Sequence, residues 1–158
     1  MHHTNNLVSL IERNAESLAK RWLDIVRTHP GTPTFHNWDQ NQLFARVHKV
    51  YSYLGRSISE QTTREDIERE YVALGWQRFG EGFALSEVIQ ALIISRRVLW
   101  LKVEADGILD TAIDLHFALD LNNRVVLFFD RAIYYTALGY GEAAREALAK
   151  ARSGPVHK

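Results

Sequence analysis

The chain has 158 residues, no cysteine, and 19 basic against 19 acidic side chains, for a formal net charge of zero. A chain of this length forms one domain that buries a core without disulfides or a structural metal. The missing cysteines exclude a disulfide scaffold, thiolate metal sites and a cysteine nucleophile, and the charge balance gives no long-range pull toward nucleic acid or an anionic membrane.

The N-terminal run MHHTNNLVSLIERN reaches polar residues before an apolar stretch builds up, so no signal peptide is expected. The longest apolar tract, VIQALII, is interrupted by Gln90 and ends at Ser95-Arg96-Arg97, far short of the roughly 20 residues a membrane-spanning helix needs. A soluble, cytoplasmic protein is expected, without membrane insertion or direct nucleic acid binding. His2 and His3 are set aside in the search for a site.

Prolines occur only at 30, 33 and 155, which leaves the chain between free to form long helices. Helical spacing of apolar residues predicts a first helix over about residues 6–28 and, after the breaker HPGTPTFHN, a second from near Trp38-Asp39. That second helix carries the stripe Leu43, Phe44, Val47, Val50, Tyr51, Leu54 and Ile58. Thr62 with Glu65, or Thr63 with Asp66, caps a third helix over about 64–79, with the first pair the standard choice.

Ser86 is the expected N-cap of a fourth helix to about Val103, which is apolar on nearly all sides until its two arginines and so is expected to be largely buried. The last helix is predicted over about 109–150, with two stripes. Phe117, Leu121, Val125, Phe128, Ala132 and Tyr135 form one, and Val126, Phe129, Ile133 and Ala137 the other. Two stripes exceed one core contact, so a dimer face is expected on this helix, with Val125, Val126, Phe128, Phe129 and Ile133 as its candidates. Residues 1–150 form the single helical domain, 151–158 a frayed tail or severed linker, and no internal repeat or strand signal is seen.

The stretch LGWQRFGEGFALSEV, Leu74 to Val88, contains three glycines. A dinucleotide fingerprint needs a third glycine after Gly80-Glu81-Gly82, a preceding strand and a following helix. Here the third glycine is missing, a helix precedes, and Glu81 would repel phosphate. The loop therefore reads as a corner, with Gly80 in the left-handed position after a helix end and Gly82 reversing the chain. Gly75 lies inside a helix at a cost of about 1 kcal/mol against alanine, which a close approach by another helix would explain.

Chemical motifs are sparse. No H-E-x-x-H, di-iron E-x-x-H pair, EF-hand loop or G-x-S-x-G elbow occurs. His48 and His116 lie on long helices, where a buried histidine could ligate haem, although no spacing supports it. No metal site, cofactor or catalytic residue is expected, and the chain is read as no enzyme. Arg78, Arg96 and Arg97 are the exception to a bland pattern. At least one of Arg96 and Arg97 is expected to face an interior or an interface, and a buried guanidinium demands a partner, with Glu70, Glu81, Asp120 and Asp130 as candidates. The alternatives are a structural ion pair and an anion or ligand contact in a helical pocket.

The segment from Tyr71 to Trp100 resembles the N-terminal sensory domain of the RsbR and RsbRD-like co-antagonists of the stress-response switch kinase RsbT, a type of helical domain found also ahead of PucR-type regulators and some sensor histidine kinases. Tyr71, Leu74, Gly75, Arg78, Gly82, Leu85, Glu87, Val88, Leu92, Arg96, Arg97 and Trp100 carry the pattern, with Gly80 and Ser86 in the same corner. The resemblance covers about residues 5–150. It implies an all-α, globin-like bundle of about five main helices with a long C-terminal helix, usually without haem. It also implies homodimerisation and a bacterial signalling role in which that helix relays to a kinase, STAS or DNA-binding output module. The chain leaves no room for such a module, so a single-domain member or a piece of a longer chain is expected. A haem- or small-ligand-binding helical sensor is the alternative reading.

Overall fold

The computed structural model describes residues 2–105 and 112–154, with side-chain burial given from residue 8 and not for 112–114, 117 and 118. The described residues form an all-α fold: α1 (His2–Val26), a short 3-10 helix (Pro33–Asn37), α2 (Gln40–Ile58), α3 (Arg64–Gly80), α4 (Leu85–Ala105) and α5 (Ala112–Arg152). The predicted start of the last helix at Leu109 lies outside the described residues. The first helix ends at Val26 rather than Thr28, and the buried Thr32 hydroxyl donates to the terminal Val26 carbonyl at 2.7 Å. No described helix is long and apolar enough to cross a membrane.

Helix ends follow local chemistry. The Asp39 carboxylate accepts from the Asn41 amide and starts α2. At α3 the capping box is Thr63 with Asp66, each accepting from the other's backbone N–H. The alternative Thr62 with Glu65 is not formed, and the Thr62 hydroxyl is buried without a partner. The Thr63 amide and hydroxyl hold the Asp66 carboxyl below its ordinary range.

The corner after α3 differs from expectation in two places. Gly80 is the last helical residue, and the left-handed position falls to Gly82, at φ 87°. Glu81 is the C-cap. The Gly82 amide donates to the Phe79 carbonyl and the Phe83 amide to Arg78, both at 3.1 Å, which is a Schellman closure. Ser86 is not a cap either: α4 begins at Leu85, and the Glu87 carboxylate accepts from the Ala84 amide at 3.3 Å. From the third helical position the acidic side chain satisfies the amide of the residue before the helix, the reciprocal half of a capping box. At the end of α2 the same closure puts a non-glycine, Glu60, at φ 60°.

The most extensive helix pairing joins α3 to α5. A Cβ on Gly75 would meet the Thr136 carbonyl oxygen and lie 2.5 Å from the Tyr140 nitrogen, and one on Gly139 would meet the Val72 carbonyl. The close approach expected at Gly75 is present, and it is reciprocal. Its cause is a short repeat, not expected from the sequence pattern: Tyr71-Val72-Ala73-Leu74-Gly75-Trp76 in α3 and Tyr135-Thr136-Ala137-Leu138-Gly139-Tyr140 in α5. In each copy the residue three before the glycine faces the glycine of the other.

The remaining helices wrap this pair. The Trp22 indole donates to the Ala91 carbonyl at 2.9 Å and the Tyr51 hydroxyl to the Ser95 carbonyl at 2.8 Å, so α1 and α2 each grip α4 at carbonyls one turn apart. Burial pushes the Tyr51 and Tyr71 hydroxyl pKa values well above the ordinary phenol range. The two stripes of α5 are not two separate faces. Val125, Phe128 and Phe129 are buried in the chain's own core, with Phe129 fully inaccessible, whereas Val126 and Ile133 are half-buried.

Gly75→Ala and Gly139→Ala are each expected to lower the unfolding free energy by about 3 kcal/mol, because backbone blocks the added methyl. Glu60→Gly is expected to raise it by about 0.5–1 kcal/mol, relief of the left-handed strain outweighing the looser unfolded chain. Urea denaturation of the three variants measures both signs.

Candidate functional site

Arg78 is the buried charge of the α2–α3 region, with 6% of its surface exposed. It sits on α3 three residues beyond Gly75, where the helix is held against α5. The Schellman closure then brings Glu81 back over it. Arg78 Nη1 donates to Glu81 Oε1 at 3.1 Å, and Arg46 from α2 grips the same carboxylate with both terminal nitrogens, at 2.9 and 2.5 Å. Gln77 adds a longer donation at 3.4 Å. Two guanidiniums therefore share one carboxylate. Burial, and then the nearby Arg46 charge, push the Arg78 pKa down to about 10, against the pull of Glu81, which leaves it charged at neutral pH.

The cluster stands between two spaces. A cavity of about 40 Å³ lies among α1, the 3-10 helix, α2, α3 and α4, walled by Trp22, Phe35, Val47, Val88, Ala91 and Leu92. A groove of about 190 Å³ runs along α2 and α3 past Lys49, Glu70 and Gln77. Arg46, Val50, Leu74 and Arg78 line both. Lys49 and Glu70 pair with each other at 3.0 Å. The floor is fixed from the far side, where the buried Glu87 carboxylate accepts from the Thr34 amide and hydroxyl at 2.6 and 2.7 Å. That ties the 3-10 helix, and with it Phe35, to α4. Phe83 packs between Phe35 and Trp38, 4.7 Å from each ring centre.

Of the sequence-predicted residues, Tyr71, Leu74 and Arg78 meet at this place, with Gly75 facing α5 from the same helix and Gly80 and Gly82 in the corner beside it. Leu85 is half-buried and Ser86 exposed at the start of α4. Arg96, Arg97 and Trp100 are brought together elsewhere, in a second groove of about 500 Å³ between α4 and α5 that Val125 and Val126 also line. Of the interior or interface expected for Arg96 or Arg97, the chain's own interior is not where they lie: Arg96 is half-buried and Arg97 exposed. Their candidate partners are engaged otherwise, Glu70 with Lys49, Glu81 with Arg46 and Arg78, and Asp120 with Arg124, and Asp130 is exposed. Helical spacing had placed Asp120 and Arg124 as an intrahelical pair, at 3.4 Å in the structure.

His48 and His116 both stand on exposed sides of their helices, His48 stacked on Phe44, and neither lines the apolar cavity. Among the described residues no three His, Cys, Asp or Glu side chains cluster in a way that could hold a metal ion. The residue that sequence reasoning missed is Arg46. It precedes Val47 of the buried stripe, a position that charge alone does not distinguish from the solvated face of α2.

The RsbT co-antagonist protein RsbRD N-terminal domain family matches residues 16–153 of the chain. No curated protein matches it.

Glu81→Gln leaves the buried Arg78 short of its counter-charge and is expected to cost about 2 kcal/mol or more of stability. Arg78→Met, which removes the charge and keeps the stem, is expected to cost less. Equal losses in denaturant titrations of the two variants would contradict this account of the cluster.

Proposed function

The chain belongs to the RsbRD N-terminal domain family of RsbT co-antagonist proteins, a family of regulatory signalling domains, and from that premise we propose that it is a non-catalytic sensory domain of bacterial stress signalling. It acts in the cytoplasm as a homodimer and relays its state along α5 to an output module or partner, with an RsbT-like switch kinase the partner the family name suggests.

The outer side of α5 carries this reading. The helix has 41 residues, a length of roughly 60 Å, and residues 145–152 at its end are all exposed. Beyond the core face, Leu119, Leu127 and Tyr134 are exposed, Tyr134 at 61%. With the half-buried Val126 and Ile133 they recur at intervals of seven, as Leu119-Val126-Ile133 and Leu127-Tyr134. Seven-residue spacing is the period at which two helices stay in contact along their length. Of the dimer residues expected from sequence, Val126 and Ile133 fit this role, whereas Val125, Phe128 and Phe129 serve the core beneath it.

Sedimentation velocity at tens of micromolar is expected to show a dimer, and the double variant Leu127→Lys, Tyr134→Lys a monomer with an unchanged helical circular dichroism spectrum. A monomeric unmodified protein would count against the dimer and leave the family assignment standing.

A further inference from the structure

Polar groups on the wall of the apolar cavity are nearly all engaged. The Trp22 indole is donated to Ala91, and the Ser95 hydroxyl donates to the Leu92 carbonyl at 2.6 Å. What remains is Arg78, which lines the cavity and the groove alike. Among the described residues it makes one hydrogen bond, from Nη1 to Glu81. Its Nε and Nη2 have no protein acceptor there, in a side chain exposed by only 7%. Arg46 and Arg78 against Glu81 leave one positive charge over, since Lys49 and Glu70 cancel. The result is an apolar chamber with an unspent guanidinium edge at its mouth.

We propose that this is a ligand site for a short-chain monocarboxylate, with the head group on Arg78 and Arg46 in the groove and the tail past Val50 and Leu74 in the cavity. The Nε–Nη2 edge of a guanidinium matches a carboxylate in a bidentate fork. One excess positive charge suits a monoanion. A phosphate dianion would overfill it and meet Glu81 and Glu70. The 40 Å³ cavity takes about three carbon-sized groups, taking about 10–15 Å³ for each water-sized probe. With the carbons outside it, butyrate to hexanoate is the expected range. The site supplies an input to the regulatory role proposed above and rests on that reading for its purpose, whereas its binding is measured separately.

The test uses the purified chain with hexanoate, hexanol, chloride and inorganic phosphate in turn, followed by thermal shift and by amide chemical shifts. Hexanoate is expected to raise the melting temperature saturably, with shifts concentrated around Val50, Leu74, Arg78 and Ala91. Arg46→Met is expected to weaken binding about tenfold, the loss of one charge-assisted contact, and Arg78→Met to abolish it. Should Arg78→Met fail to fold, the half-buried Arg46 carries the comparison alone. Equal stabilisation by hexanol, by chloride or by phosphate would overturn the head-and-tail assignment, and so would no saturable response to hexanoate. A dimer that ignores hexanoate removes this inference alone. A monomer that binds it removes the dimer alone.

Discussion

The contact on which the other helices depend is the crossing of α3 and α5 at Gly75 and Gly139. Most helix pairs are spaced by side chains, with axes about 8–10 Å apart. Here neither helix has a Cβ at the crossing, and carbonyl and amide groups of one backbone lie where the side chain of the other would be. The flanking tyrosines follow from that closeness. Tyr71 turns into the core edge-on to Phe128, and Tyr135 reaches the Arg64 guanidinium at 2.9 Å. Tyr140 spans to the Phe83 carbonyl at 2.6 Å, which locks α5 to the corner between α3 and α4. Remove the closeness and none of these partners is within reach.

The arginine cluster is an outcome of the same geometry. A helix that ended two residues earlier, with Gly80 left-handed, would carry Glu81 on beyond the helix end. Ending at Glu81 with Gly82 left-handed folds the carboxylate back over Arg78, within reach of Arg46. The energetics are not those of a stabilising salt bridge. A buried guanidinium loses several kcal/mol of hydration, and one carboxylate divided between two cations restores only part of it. An apolar pair of similar shape would serve the core at least as well. That imbalance separates this cluster from Lys150–Glu146, an exposed pair, and from Lys49–Glu70, whose lysine is exposed, pairs whose contribution to stability is small.

Much of the fold was legible because helical burial writes itself into spacing. Leu43, Val47, Val50, Tyr51, Leu54 and Ile58 recur with the turn of a helix and are all buried in it. The corner was legible as a corner but not residue by residue, since either glycine could take the left-handed position and only the hydrogen-bond pattern decides. Gly75 signalled a close approach through its misfit in a helix. Its counterpart Gly139 was hidden beside Gly141 in a small-residue run, although the matching six-residue strings were in view. The site was harder. Arg96 and Arg97 interrupt an apolar run and drew attention, yet they lie at the edge of α4, while Arg78 and Arg46 sit among ordinary polar neighbours. Burial of a charge depends on what the rest of the chain stacks above it, which no local window contains.

The glycine crossing has one further consequence, and it is mechanical. Joints between helices usually have play, because side chains can change rotamer and absorb a small displacement before the neighbour feels it. A joint of backbone on backbone has no such slack. Arg78 lies one turn from this joint on α3, and α5 leaves it on the other side toward its exposed end. In the relay proposed above, a displacement of α3 at the arginine would therefore not be damped at the crossing but handed on, as by a rigid pivot, to a lever whose far arm is the terminal turns of α5.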